Sequence, residues 1–258
     1  MILLALRVLL APCLVAAASL AARRWGDRVG GYIAALPFVA GPLLLVIALE
    51  HGTRFAATSA LSALSGITAL AVFAVGYAHL ARTCRWTTAL PLGWALYLLS
   101  AALLRPLETG IAARLLGALA SLWLAKALLP TSVSQTGSVS SRQKPSWDIP
   151  TRMASAGLLV GGIATLSNAL GPAWSGLLTP FPIATTILVA FAHAQDGHKA
   201  VARMLEGFLP ALAGLTFFFA VLAAGLVRWG IGWSFAMALG SALATQAALI
   251  WIKELVPK

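Results

Sequence analysis

The sequence predicts an all-α integral membrane protein of about nine transmembrane helices, arranged five plus four as an inverted-topology repeat. Three observations predict this class. The chain is 60% hydrophobic and only 10% charged, with a mean hydropathy of +0.91, against about 25% charged residues in a soluble domain. A motif occurs twice: residues 26–54 and residues 171–199 superpose on a shift of 145 without a gap. Gly26 falls on Gly171, Gly31 on Gly176, Pro37 on Pro182, Leu43 on Leu188, Gly52 on Gly197 and Arg54 on Lys199. Five apolar spans lead from one copy to the other, an odd number, so the second copy runs the opposite way through the bilayer. Matched helix-breaking residues in inverted halves are the sequence mark of a secondary transporter.

A span needs about 20 apolar residues to cross the hydrocarbon core. Nine stretches qualify: 2–22, 31–50, 55–80, 87–104, 109–129, 151–170, 175–195, 199–227 and 232–252. The third and eighth are long enough to tilt, and they hold equivalent places in the two halves. Residues 1–129 form the first repeat with five helices, and residues 151–258 the second, inverted repeat with four. Residues 130–150 join them. This stretch is rich in Ser, Thr and Gln and is expected to be a flexible cytoplasmic linker. The fifth span has no repeat partner; its role is to bring in the second half with reversed topology.

Orientation follows from Lys and Arg. With the N-terminus outside, 13 basic residues fall in cytoplasmic segments and 5 on the other side. The expected location is therefore a bacterial inner membrane, crossed many times, N-terminus out and C-terminus in. Trp25, Trp86, Trp147, Trp174, Trp229 and Trp251 lie near span ends, where interfacial anchors belong. The net charge of +11 is spread over short loops and forms no stripe, which argues against a nucleic-acid partner. Cys13 and Cys84 are expected to pack as free residues.

The duplicated motif carries the chemistry. Each motif helix meets proline six residues after its glycine, about 9 Å into the bilayer. The helices broken are thus the second and the seventh. Proline removes an N–H and displaces the carbonyl one turn back. Freed groups of this kind are tolerated within a membrane where they line a cavity. The half-helix after each proline also presents a positive dipole end that suits an anion. Candidate substrate-binding residues are therefore Pro37, Gly41, Pro42, Thr179, Pro180, Pro182, Thr185 and Thr186. The alternative for each is an ordinary kink or packing position.

Ionisable residues inside spans are costly and point to coupling ions. Glu206, Glu50 and His193 are the candidates for proton coupling, Glu206 first. Glu206 has a competing role as the partner of Arg203 or Lys199 near the surface. His51, His79 and Asp196 fit solvated interfacial positions. No metal spacing, nucleophile elbow or phosphate loop occurs, so neither an enzyme nor a cofactor is expected.

The segment SGLLTPFPIATTILVAFAHA and the ending LGSALATQAALIWIKEL resemble the GlpM family of small bacterial membrane proteins, in the Gly176–Leu177 and Phe181–Pro182 pattern, the apolar run to His193, and Trp251, Ile252 and Lys253. The resemblance covers about 100 residues. It implies a four-helix unit, here duplicated and fused, and no particular substrate. The chain departs from the family in placing Pro180 one position later and in having Leu36 where the second copy has Phe181. The expected function is proton-coupled transport of a small organic solute, with the lipid bilayer, the solute and protons as partners, in a monomer or homodimer. The alternative is a non-transport membrane subunit assisting an envelope lipid or polysaccharide pathway.

Overall fold

The computed structural model describes residues 2–37, 40–105, 109–130, 145, 147–170 and 181–255, and the side chains of most of them. All regular structure among the described residues is α-helical. The helices are α1 (Ile2–Trp25), α2 (Asp27–Ala34), α3 (Ala40–His51), α4 (Thr53–Leu80), α5 (Trp86–Leu104), α6 (Ile111–Leu128), α7 (Asp148–Leu170), α8 (Ile183–Asp196) and α9 (His198–Leu255). α9 comprises two helical arms hinged at Gly230, whose φ of 71° and ψ of 179° only glycine adopts without strain.

Among the described residues, four helices are long and apolar enough to cross a membrane: α4, α5, α6 and α9 over His198–Leu249. α4 alone has 28 residues, about 42 Å of helix. The described structure is thus that of a membrane protein. Its surface agrees: Leu99, Leu103, Leu116, Trp123, Leu158 and Trp233 stand exposed, an apolar coat that water would penalise and lipid would not. Trp25, Trp86, Trp147, Trp229 and Trp251 are also exposed, near helix ends or the Gly230 hinge.

The second expected span is divided. α2 ends at Ala34, a turn carries Ala35, Leu36 and Pro37, and α3 resumes at Ala40. α3 has only 12 residues, about 18 Å, too short to cross unaided. The seventh span is described as the 14 residues of α8; residues 171–180, including Thr179 and Pro180, lie outside the described residues, as does most of the linker.

The packing centre is α4 against the first arm of α9. α4 is buried at Ala56, Ala60, Leu64, Ile67, Phe73 and Tyr77, and α9 at Leu205, Phe208, Leu209, Leu212 and Phe218. Alternation of small and large side chains lets the helices approach and fill the space between them. α5 and α6 pack on α4, with their far faces exposed. On another side α1 contacts α2, α7 and α8, and α2 lies against the start of α9. The arms of α9 are tied by Gln246, whose amide donates to the Ala211 carbonyl at 2.8 Å; Gly214 leaves room for that side chain.

Backbone detail recurs at the 145-residue shift. Gly52 (φ 85°, ψ 167°) and Gly197 (φ 76°, ψ −174°) adopt the same left-handed, extended conformation between α3 and α4 and between α8 and α9. The Gly41 amide donates to the Pro37 carbonyl at 2.8 Å, and the Thr186 amide donates to the Pro182 carbonyl at 2.8 Å.

Candidate functional site

The sequence-predicted residues fall into three places. The first is the start of α8. Phe181 and Pro182 are not helical, and Pro182 caps α8 without a side-chain hydrogen bond to the helix. The first turn of any helix leaves backbone N–H groups to be satisfied from outside the helix. Around this end the polar side chains are buried: Thr185 and Thr186 are both below 6% exposure. α5 supplies the opposing wall. The Trp94 indole donates to Thr186 Oγ1 at 3.1 Å, and the rings of Trp94 and Tyr97 pack on Phe181 at 5.6 and 5.5 Å. Tyr97 is fully buried, and its hydroxyl has no hydrogen-bond partner among the described residues. A buried hydroxyl without a partner costs about 1–3 kcal/mol. This end of α8 therefore joins helix N–H groups, two threonine hydroxyls, an indole and a phenol in an aromatic setting.

The second place is the break between α2 and α3. Pro37 and Gly41 are buried, and Pro42 is partly exposed in the first turn of α3. A Cβ on Gly41 would meet Phe218 of α9 at 3.5 Å, an ordinary contact. Here Phe218 of α9 faces Gly41, whereas Trp94 and Tyr97 of α5 face the start of α8.

The third place is one end of the bundle, where the charges gather. Glu206, the first candidate for proton coupling, forms an ion pair with Arg28 of α2. Arg203, one of its expected surface partners, instead binds Asp27 through Nε at 3.0 Å and a terminal nitrogen at 2.7 Å. Both pairs cross the seam between α2 and α9. The backbones there touch: a Cβ on Gly31 would lie 1.9 Å from the Met204 carbonyl oxygen, and one on Gly207 would lie 1.9 Å from the Arg28 carbonyl oxygen. Only glycine permits this approach from either side.

At the same end Asp148, fully buried at the start of α7, accepts from Arg23 of α1 at 2.6 Å and from Arg152 one turn on at 3.0 Å. Gln195 of α8 donates to Asp148 and accepts from Arg152 at 3.0 Å. The Arg152 guanidinium also lies over the Phe191 ring at 4.7 Å. Burial pushes the Asp148 carboxyl up, but the hydrogen bonds from Gln195 and Arg23 and the charge of Arg152 outweigh it. Asp148 is held below the ordinary carboxylate value.

His193 sits near this end of α8. Its Nδ1 lies 3.3 Å from the Tyr77 hydroxyl, with the rings edge-on. Glu50 and His51 are exposed at the opposite end of the first motif copy, and His51 stacks on Phe55. Glu206 and His193 are thus held by different neighbours, and Glu50 lies with neither. Among the described residues no group of three or more His, Cys, Asp and Glu is placed to hold a metal ion.

Sequence reasoning missed Trp94, Tyr97, Asp27 and Asp148. A lone tryptophan, tyrosine or aspartate carries no signal until the fold supplies its partner. For Asp148 and Arg152 the i,i+4 spacing was visible, yet it gave no hint of Arg23 or Gln195. No family model, curated protein or solved structure matches this chain.

Proposed function

We propose that the protein is a secondary carrier of a small organic solute, built from two inverted repeats with nine membrane spans in a bacterial inner membrane. The single observation that carries this is the start of α8. A helix N-terminus without a side-chain cap lies there beside buried Thr185, Thr186 and Tyr97 and half-buried Trp94, and the Tyr97 hydroxyl has no partner among the described residues. Buried polar groups in a membrane protein mark solute or ion pathways. The recurrence of the Gly52 and Gly197 conformations, and of the bonds to Pro37 and Pro182, supports the repeat. The solute has an aromatic or apolar body and one acceptor group: the helix N–H groups and the Thr and Tyr hydroxyls donate, while Phe181 and Trp94 stack. Protons are the coupling ion, with His193 the better-placed group, since Glu206 and Arg28 neutralise one another.

A second reading, a non-transport subunit of the membrane, is favoured by one observation. Charged side chains are committed to ion pairs between helices, as in a static scaffold. The GlpM resemblance is compatible with either.

The test is single-cysteine accessibility. Cys13 and Cys84 are both free and are replaced by serine, and Gly41→Cys and Thr185→Cys are introduced one at a time. Labelling of both from the aqueous phase by a membrane-impermeant maleimide, slowed by transported solute, is the expected result. If both stay unlabelled while loop cysteines react, no hydrated path exists and the scaffold reading replaces the carrier.

A further inference from the structure

The two ion pairs across the α2–α9 seam have no charged counterpart in the other repeat. By the 145-residue shift, Asp27 corresponds to Pro172, Arg28 to Ala173, Arg203 to Thr58 and Glu206 to Leu61. The structure agrees with the shift at the end of the motif, where α4 and α9 begin at Thr53 and His198, each directly after a glycine of the same conformation. The small residues that let the seam close are kept: Gly31 corresponds to Gly176, and Gly207 to Ser62. In sequence, the counterpart positions keep small residues at these two places and lack the charges.

We infer that Asp27–Arg203 and Arg28–Glu206 form an ionic lock that holds this end of the bundle closed. This rests on the carrier reading, in which inverted repeats rock to expose a central site to one side and then the other.

The geometry supports a clamp that can open rather than a permanent joint. The Arg28 and Arg203 side chains are 62% and 29% exposed and those of Glu206 and Asp27 are 20% and 15% exposed, so water reaches both pairs and parting them costs less than parting a fully buried pair. The Asp148 site contrasts with this: both its carboxylate and the Arg152 side chain are at 4% exposure or less. It joins α1, α7 and α8, and parting such a buried group is expensive. The Asp148 site is therefore the fixed part of this end and the α2–α9 seam the movable part. Opening the seam exposes Ala35, which lies one turn beyond Gly31 and is 1% exposed in this closed form.

The test uses full-length protein in native membranes, with Cys13 and Cys84 replaced by serine. Ala35→Cys reports on the locked end and Gly41→Cys on the centre. The impermeant maleimide is applied separately to each face of the membrane. Neutralisation by Asp27→Asn with Glu206→Gln is expected to speed labelling of Ala35→Cys from the charged end by about threefold or more, matching the loss of two partly exposed pairs. Charge reversal, Arg28→Glu with Glu206→Arg, is expected to return the rate to near its original value, and it serves as the folding control. Unchanged Ala35→Cys labelling after neutralisation, with Gly41→Cys still labelled, overturns the lock and leaves the carrier standing. Gly41→Cys inert from both faces in every variant overturns the carrier itself.

Discussion

The two copies of the motif share a backbone and diverge in what hangs on it. At the first, the Gly41 amide reaches back to the Pro37 carbonyl; at the second, the Thr186 amide reaches back to the Pro182 carbonyl, both at 2.8 Å. The matched residues are a glycine facing Phe218 and a threonine whose hydroxyl takes the Trp94 indole N–H. The matched position thus meets an apolar ring in one copy and is a hydrogen-bonded hydroxyl in the other. Charge divides the other way. The first copy begins with Asp27 and Arg28, which clamp it to α9, while the second has Pro172 and Ala173 at those positions. On the proposed reading, binding falls to the second copy and fastening to the first.

The largest expected effect sharpens the seam side of this comparison. Gly31→Ala or Gly207→Ala drives a methyl into a backbone carbonyl 1.9 Å away, and the helices must separate. The loss is about 3 kcal/mol or more, read as a lowered Tm in detergent or as failure to fold. Gly117→Ala on α6, where nothing lies within 4 Å, is the control. It is expected to leave Tm unchanged or to raise it slightly, through up to about 1 kcal/mol of helix propensity.

Asp148→Asn comes next. It leaves the buried Arg152 guanidinium without its counter-charge, a loss of about 3 kcal/mol. It also predicts a pH dependence. The folded-state pKa of Asp148 lies below its unfolded value. Its contribution is therefore complete above the ordinary carboxylate pKa and is lost as pH falls through the lower folded value. Wild-type Tm should accordingly drop in acid below about pH 4, and the drop should be smaller for Asp148→Asn. An identical acid profile in both proteins would remove Asp148 as a source of that dependence.

Thr186→Val tests the polar copy with a smaller effect. The Trp94 indole loses its acceptor, costing about 1 kcal/mol, and Trp94 emission shifts while the shape of the site is kept. Gly41→Ala, at the matched position, meets only the Phe218 ring edge at 3.5 Å. Its expected change in Tm is within about 0.5 kcal/mol. Equal effects at the two positions would mean that the copies do not differ as proposed.

Much of the architecture was legible because it depends on local properties of the chain. Proline interrupts a helix wherever it removes the amide of an interior turn, so the break near Pro37 and the start of α8 after Pro182 follow from the residues alone. Apolar length sets a spanning helix, which places α4, α5, α6 and the arms of α9 within a few residues of their expected bounds. The site was legible only in part. Thr185 and Thr186 were named from their place in the motif, but Trp94 and Tyr97 were not. They lie some 90 residues away on α5, and nothing in that helix distinguishes them from interfacial aromatics.

Glu206 shows the limit most clearly. Its position near the start of a long apolar helix allowed either an exposed acid or a coupling group. The choice was made by α2, a helix 178 residues away that brings Arg28 to it. What the sequence by itself determined about this protein is its helical and membrane character, the break at Pro37 and the start of a helix after Pro182. What only the tertiary structure decided is which charges are neutralised and which hydroxyls are left without a partner. Helix formation and proline breaks are settled within a turn or two of chain, whereas an ion pair or a buried hydroxyl acquires its meaning from whatever distant helix the packing sets beside it.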